Sequence, residues 1–223
     1  MLLLVFIFSM HYRLFSSVDN NPTPKISMGI GISFGDYETT REYGSGGEWE
    51  SEGAFGCGFI FENMLSNRFG IHSGIWFSQF ILSIHETNHG HHDESTEDNY
   101  SDDIESRNNM LTIPLYLITS FQFSMITLNL LTGLNFSYIT ESFLYNNTSN
   151  QQRSVDIKKY IGYTQIGIGG GLEIKFRFFR FVDIFLSGIG ERYFNDYIPA
   201  DDNWEGFLYD FRILTGVLFR THK

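Results

Sequence analysis

Along most of this chain apolar residues occupy every second position, in runs joined by connectors of two contrasting lengths. One run sets Ile26, Met28, Ile30, Ile32 and Phe34 against Ser27, Gly29, Gly31 and Ser33. Another carries Phe55, Cys57, Phe59 and Phe61 opposite Gly56, Gly58, Ile60 and Glu62. A third sets Phe69, Ile71, Ile75 and Phe77 against Gly70, His72, Gly74, Trp76 and Ser78. In a fourth, Leu111, Ile113, Leu115 and Leu117 share a face. Leu128, Leu130, Leu134, Phe136 and Tyr138 stand against Asn129, Gly133, Asn135 and Ser137 in the next. Ile166, Ile168, Leu172, Ile174 and Phe176 then face away from Gln165, Gly167, Gly169, Gly171, Glu173 and Lys175. The last run alternates Tyr209, Phe211, Ile213, Val217 and Phe219 with Asp210, Arg212 and Gly216. Strand side chains leave on opposite faces in turn, so this period predicts strands with one apolar face. With a further run over 182–193, of ambiguous register, eight strands are predicted. Pro114 cannot donate to a ladder, and its presence predicts a bulge or an edge.

The connectors sort by length. Short ones lie near 63–67, 120–124 and 177–180, and long polar ones cover 36–52, 85–109, 141–159 and 194–205. The long ones far exceed the roughly 2–5 residues of an ordinary hairpin loop. Tight turns at one end and long loops at the other mark an up-and-down barrel crossing an outer membrane. The predicted fold is therefore all-β: a single eight-stranded antiparallel transmembrane barrel with short periplasmic turns and long extracellular loops. Aromatic residues support this placement. Phe121, Phe123, Phe178, Phe179, Phe181 and Phe219 mark the short-turn end; Tyr138, Tyr160, Tyr163, Tyr193 and Trp204 mark the long-loop end. Girdles of this kind sit at the two membrane interfaces.

The second face decides which way the alternation points. It holds glycines with Glu62, Glu173, Lys175, Asp210 and Arg212, which suit a narrow lumen where charges meet as pairs. A soluble lipocalin-like ligand-binding barrel is the alternative, but its outer face must be hydrated, and these residues make a thin polar coat.

Composition narrows the picture further. A chain of 223 residues with 23 Phe, 12 Tyr and 22 Gly is unusually rich in aromatics and glycine. A mean hydropathy of −0.13 is what alternating faces give once averaged. A net charge of −11 argues against a nucleic-acid partner. The single Cys57 excludes an intrachain disulfide. Leu2 to Met10 form an apolar run too short for a bilayer, which predicts a signal peptide over 1–17. A periplasmic lead over 18–24, the barrel over 25–220 and a tail over 221–223 complete the expected organisation.

Short motifs add a resemblance. Leu111-Thr112-Ile113-Pro114-Leu115-Tyr116-Leu117, Gly167-Ile168-Gly169-Gly170-Gly171-Leu172-Glu173 and Glu191-Arg192-Tyr193 resemble strands of the PorT-like outer-membrane β-barrel domain family. The resemblance covers roughly 25–219 and implies an eight-stranded barrel in the outer membrane of a Gram-negative-type bacterium. It also implies a final aromatic residue read by the outer-membrane insertion machinery. Phe219 fits that role, with 220–223 extending past it.

Candidate chemistry lies mainly in one loop. His85, His89, His91 and His92, followed by Asp93 and Glu94, match the donors that Zn²⁺, Cu²⁺ or Ni²⁺ favour. An acidic solvated loop is the competing reading. Ser83 and His85, two apart in a strand, are expected on the lipid-facing side at the outer rim. There a histidine-activated serine could attack acyl esters. The pair resembles the His-x-Ser of outer-membrane lipid A deacylases, in reversed order. His72 is expected in the lumen as a hydrogen-bonded residue. Gly167–Gly171 lacks the lysine and helix of a phosphate loop and instead makes room in a narrow lumen. Asn146-Asn147-Thr148 matches a glycosylation sequon of little meaning in a bacterial envelope.

Together these readings predict a monomeric, non-enzymatic outer-membrane protein with no cofactor. Its partners are outer-membrane lipid, the insertion machinery and an extracellular ligand at acidic loops, in a structural or adhesin-like role. An outer-membrane lipid-modifying enzyme is the alternative.

Overall fold

A computed structural model describes residues 25–39, 49–86, 102–123, 125–146, 153–156, 164–179, 181–194 and 208–221. These form β1 (Lys25–Thr39), β2 (Trp49–Met64), β3 (Phe69–Glu86), β4 (Asp102–Phe123), β5 (Ile126–Asn146), β6 (Arg153–Asp156), β7 (Thr164–Phe179), β8 (Val182–Tyr193) and β9 (Leu208–Arg220). All pairings are antiparallel. β1 bonds both β2 and β9, and β4 bonds β5, so the sheet closes on itself. The ring holds eight strands in the order β1-β2-β3-β4-β5-β7-β8-β9. Closure leaves no edge within the ring, which lipid requires of every backbone polar group. β6 lies outside the ring, against the last residues of β5 from Phe143 to Asn146. The sequence pattern does not announce it.

The predicted faces are in place. Phe59 is 71% exposed, and Ile30, Leu115, Leu172 and Phe211 also point outward. An apolar surface of this extent all round the molecule is stable only against lipid. The short-turn girdle stands as expected, with Phe121, Phe123, Phe178, Phe179, Phe181 and Phe219 all exposed. At the other end Tyr138 is exposed, whereas Tyr193 is fully buried in the lumen. It shares the inward face of β8 with Asp183, Phe185, Ser187, Ile189 and Glu191, which resolves the ambiguous register. Tyr160, Tyr163 and Trp204 lie outside the described residues. Phe69, expected on the lipid face, is buried at the first position of β3. There its carbonyl accepts turn bonds from the Leu65 and Ser66 amides.

Pro114 makes neither a bulge nor an edge. It keeps its place opposite Asn135 of β5, and on its other side β3 stays in register while the pairs at Gly74 and Ile75 are missing. The Ser73 hydroxyl donates to the Pro114 carbonyl at 2.8 Å across that gap. The real irregularities lie elsewhere. β2 bulges between Ser51 and Ala54, where Gly53 adopts φ 103°, a conformation a side chain would strain. β4 bulges against β5 between Asn109 and Met110.

Above that second bulge the strands run on. Residues 102–109 were expected in a loop but continue β4, paired to β3 and β5. Gln79 donates to Asn109 at 3.2 Å, Asn109 to Glu141 at 2.8 Å, and Arg107 to Glu105 at 2.5 Å. This polar belt faces outward where Leu111 to Leu117 faced lipid, so it marks the end of the apolar band. Beyond Asn109 and Glu141, β4 runs on to Asp102 and β5 to Asn146, roughly 17–23 Å of further strand.

Candidate functional site

The lumen is filled, and its filling is the main built feature of the described residues. Near the periplasmic end, β2, β3 and β7 bring Glu62, His72, Glu173 and Lys175 together, all buried. Nδ1 of His72 lies 3.2 Å from Glu62, and the Lys175 ammonium donates to Glu62 and reaches Glu173 at 3.3 Å. Asn129 donates to Glu173 at 2.7 Å, and Ser187 does so from the other side at 3.2 Å. Each carboxylate therefore meets a cation and further donors, the condition under which buried charges are tolerated. Glu62, His72 and Glu173 also present ligand atoms within 4.8 Å of one another, a spacing that could hold a metal ion. Lys175 already supplies a cation to both carboxylates, so the chemistry of the set is complete without one.

A packed apolar layer follows, built on Trp76, Phe185, Ile189 and Leu214. Glycine makes this layer fit. A Cβ on Gly58 would stand 2.6 Å from the Trp76 ring, and one on Gly216 would stand 2.7 Å from Phe185. Above it lies a second polar centre. Arg212 donates to Glu191 and lies 2.6 Å from Asp210, Tyr116 donates to Glu191, and Tyr193 donates to the same carboxylate at 3.0 Å. Gly169 faces this group, where a Cβ would come within 2.9 Å of both the Tyr116 hydroxyl and the Glu191 side chain. Nearer the outside, Tyr37, Phe80, Leu82, Met110, Ile139 and Leu208 form an apolar plug. Tyr37 stacks on Phe80 with ring centroids 4.2 Å apart.

Alternation in the sequence placed Glu62, Glu173, Lys175, Asp210 and Arg212 in the lumen, and His72 beside them. It missed Tyr116 and Tyr193 as partners of Glu191. The two-residue spacing of Glu191 and Tyr193 was the signal that could have found the second. Gly167 and Gly169 do make room for lumen side chains, but Gly170 faces outward.

The expected loop chemistry stands differently. The backbone of His85 continues β3 opposite Asp103, while its side chain and all of His89, His91 and His92 lie outside the described residues. Ser83 has the outward parity of Phe77 and Gln79 in β3, as expected, but it is not exposed. It pairs with Glu50 and Glu105, above the polar belt at Gln79 and Asn109, and is only 5% exposed.

With this architecture established, comparison with known proteins becomes decisive. The model of the outer membrane protein beta-barrel domain matches residues 20–196. The chain belongs to that family. It is accordingly an outer-membrane protein of the Gram-negative type. Among curated proteins none matches the sequence. Of solved structures, the outer membrane protein OprG from Pseudomonas aeruginosa is similar in fold, with TM-score 0.54 at 9% identity, over 93% of this chain and 100% of that one. A major outer membrane protein from Thermus thermophilus gives 0.47 at 10%, over 89% of this chain and 100% of the other. Ail, the attachment invasion locus protein of Yersinia pestis, gives 0.43 at 13%, over 88% and 99%. At 9% identity the likeness to OprG speaks for the fold alone.

Proposed function

We infer that this barrel works as a non-enzymatic surface protein, its filled body anchoring acidic extracellular segments that bind an external ligand. One observation carries the reading: among the described residues the lumen is filled by two apolar clusters and the ion-paired centres beside them, while β4 and β5 rise well beyond the apolar band. An eight-stranded barrel has room inside for side chains and little else. Function then falls to what the barrel raises above the membrane. The connector between β3 and β4 contains His89, His91, His92, Asp93, Glu94, Glu97 and Asp98, in a sequence whose one hydrophobic residue is Tyr100.

The test is to shorten 87–101 to a tight turn and 147–163 to a Gly/Ser linker of about ten residues, long enough to run from Asn146 back down to Thr164. The two changes are made separately and together, leaving the eight strands of the ring intact. The shortened proteins should still enter the outer membrane and still migrate faster on gels when unheated, as closed barrels do. Binding of whole cells to immobilised matrix proteins and glycans should fall with the loops. Undiminished binding by the doubly shortened protein would overturn the surface role. Labelling of the intact protein by a fluorophosphonate probe would revive the acyl-hydrolase alternative.

A further inference from the structure

Charge is unevenly placed around the periplasmic rim. The β4–β5 turn carries none, and the β2–β3 turn carries Arg68 alone. The β7–β8 turn and the neighbouring end of β9 carry Arg177, Arg180 and Arg220, with Lys223 after them in sequence. A chain of net charge −11 thus gathers cations on one side of this end.

The local fold gathers aromatic rings at the same place. β7 and β8 lose register between Arg177 and Phe179, so β7 holds one extra residue at Phe178. Strict alternation from the inward Lys175 would turn Phe179 inward as well. The bulge instead leaves Phe178 and Phe179 both exposed, their rings edge to face with centroids 4.6 Å apart. Phe181 and Phe219 are exposed beside them. Arg220 ties the two stretches together. Its amide donates to the Phe181 carbonyl at 2.9 Å, and its Nη2 donates to the Phe179 carbonyl at 3.3 Å.

The acid at this rim is already occupied. Below the buried Glu62–Lys175–Glu173 centre, Asp183 is the one carboxylate among the described residues of β7, β8 and β9, and Nε of Arg220 lies 3.0 Å from it. Arg177 pairs with Asp183 across the ladder, yet its side chain is exposed and forms no ion pair among the described residues. A guanidinium therefore stands next to four exposed phenyl rings.

Position and charge name the occupant. The short-turn end meets the periplasmic leaflet, which is built of phospholipid, and rings at the head-group level lie against its acyl chains. A guanidinium donates to phosphate through paired N–H bonds, and a basic patch draws anionic head groups. A zwitterionic head group would bring an ammonium too, and the carboxylate that could receive it is held by Arg220. The match is with a head group that is anionic overall.

We propose that the β7–β8 turn and the end of β9 bind one phosphatidylglycerol-type lipid of the periplasmic leaflet. Its phosphate meets Arg177, and its acyl chains lie against Phe178, Phe179, Phe181 and Phe219.

The experiment uses the full chain in nanodiscs of equal phosphatidylglycerol and phosphatidylethanolamine, released into mild detergent, with retained lipid counted by native mass spectrometry. One phosphatidylglycerol should remain bound in preference to phosphatidylethanolamine. Arg177→Gln should lower its retention about fivefold, the worth of one cation at an anionic surface. Arg177→Lys keeps the charge and should restore most of the loss. Arg68→Gln, half-way round the ring from the β7–β8 turn, should leave retention unchanged. Heat-modifiable migration shows that each variant is folded. Raising the salt concentration tests the charge without any substitution, and retention of phosphatidylglycerol should fall. Equal retention of the two lipids, retention insensitive to salt or to Arg177→Gln, or an equal loss with Arg68→Gln would each overturn the proposal. Displacement of the lipid by inorganic phosphate would overturn it as well, since the anion alone would then be recognised.

Discussion

Arg212 touches two carboxylates that arrive from different strands, Asp210 on its own strand β9 and Glu191 on β8. Removing one partner from a buried cluster leaves the others charged and unpaired, a loss of about 3–5 kcal/mol. Arg212→Met should therefore lower barrel stability by that order, measured as the urea midpoint for unfolding from detergent micelles. Neutralising the cluster as a whole, with Asp210→Asn and Glu191→Gln added, should recover much of the loss. The glycines supply a paired comparison. Gly169→Ala pushes a methyl against Tyr116 and Glu191 and should cost about 1–3 kcal/mol, whereas Gly188→Ala meets open space and should cost nothing measurable. Equal effects at the two positions would contradict the packing described. At this scale the sequence revealed which side chains point inward, because inwardness follows from parity. It did not reveal who meets whom. Tyr116 and Glu191 are 75 residues apart and meet only because the sheet closes.

At the scale of elements, what was readable depended on how cleanly a strand separates its faces. β1, β2 and β7 separate apolar from small or charged residues at nearly every step, Ile60 on the inward face and Gly170 on the outward one being exceptions, and their faces were assigned correctly. β8 does not: its inward face mixes Phe185 and Ile189 with Asp183 and Glu191, and its outward face mixes Ile184 and Leu186 with glycines. The upper part of β4 was mistaken for loop because the criterion was apolar alternation, and a strand above the membrane has no reason to alternate so. There Ser106, Asn108 and Ser142 bond one another inside, with Ser142 to Asn108 at 2.5 Å, and polar residues face out as well. The histidine-bearing connector remains a separate proposal, its residues outside those described. If His85, His89, His91 and His92 gather a Zn²⁺ ion, the entropy of ordering them keeps affinity weak. Binding should fade as pH falls through about 6.5, because a protonated imidazole cannot ligate. Calorimetry with Zn²⁺ on the parent and on a variant with all four changed to Asn would decide. Tight binding that persists in the variant would place the site elsewhere.

For the molecule as a whole, the stacked filling of the lumen governs what can cross it. A solute moving along the axis would have to pass the Glu62–Lys175–Glu173 centre, then Trp76 and Phe185, then Arg212 with Glu191. Last comes the plug around Tyr37 and Phe80. In each charged layer the carboxylates are gathered round one buried cation, Lys175 or Arg212, and the groups are held packed against one another. The Trp76–Phe185 layer is packed against Gly31, Gly58 and Gly216, and the outer plug is closed by the stack of Tyr37 on Phe80. Planar-bilayer recordings should accordingly show no stable conductance on the scale of general porins. Enlarging a single layer should not change this, because the remaining layers act in series. Trp76→Ala alone should leave the barrel closed while lowering its stability by about 3–5 kcal/mol, the usual cost of a large core truncation. Opening would need the polar centres and the outer plug reduced together. A large, reproducible channel in the parent protein would show that these layers move apart in a membrane, and the assignment of function to the outer segments would lose its main support.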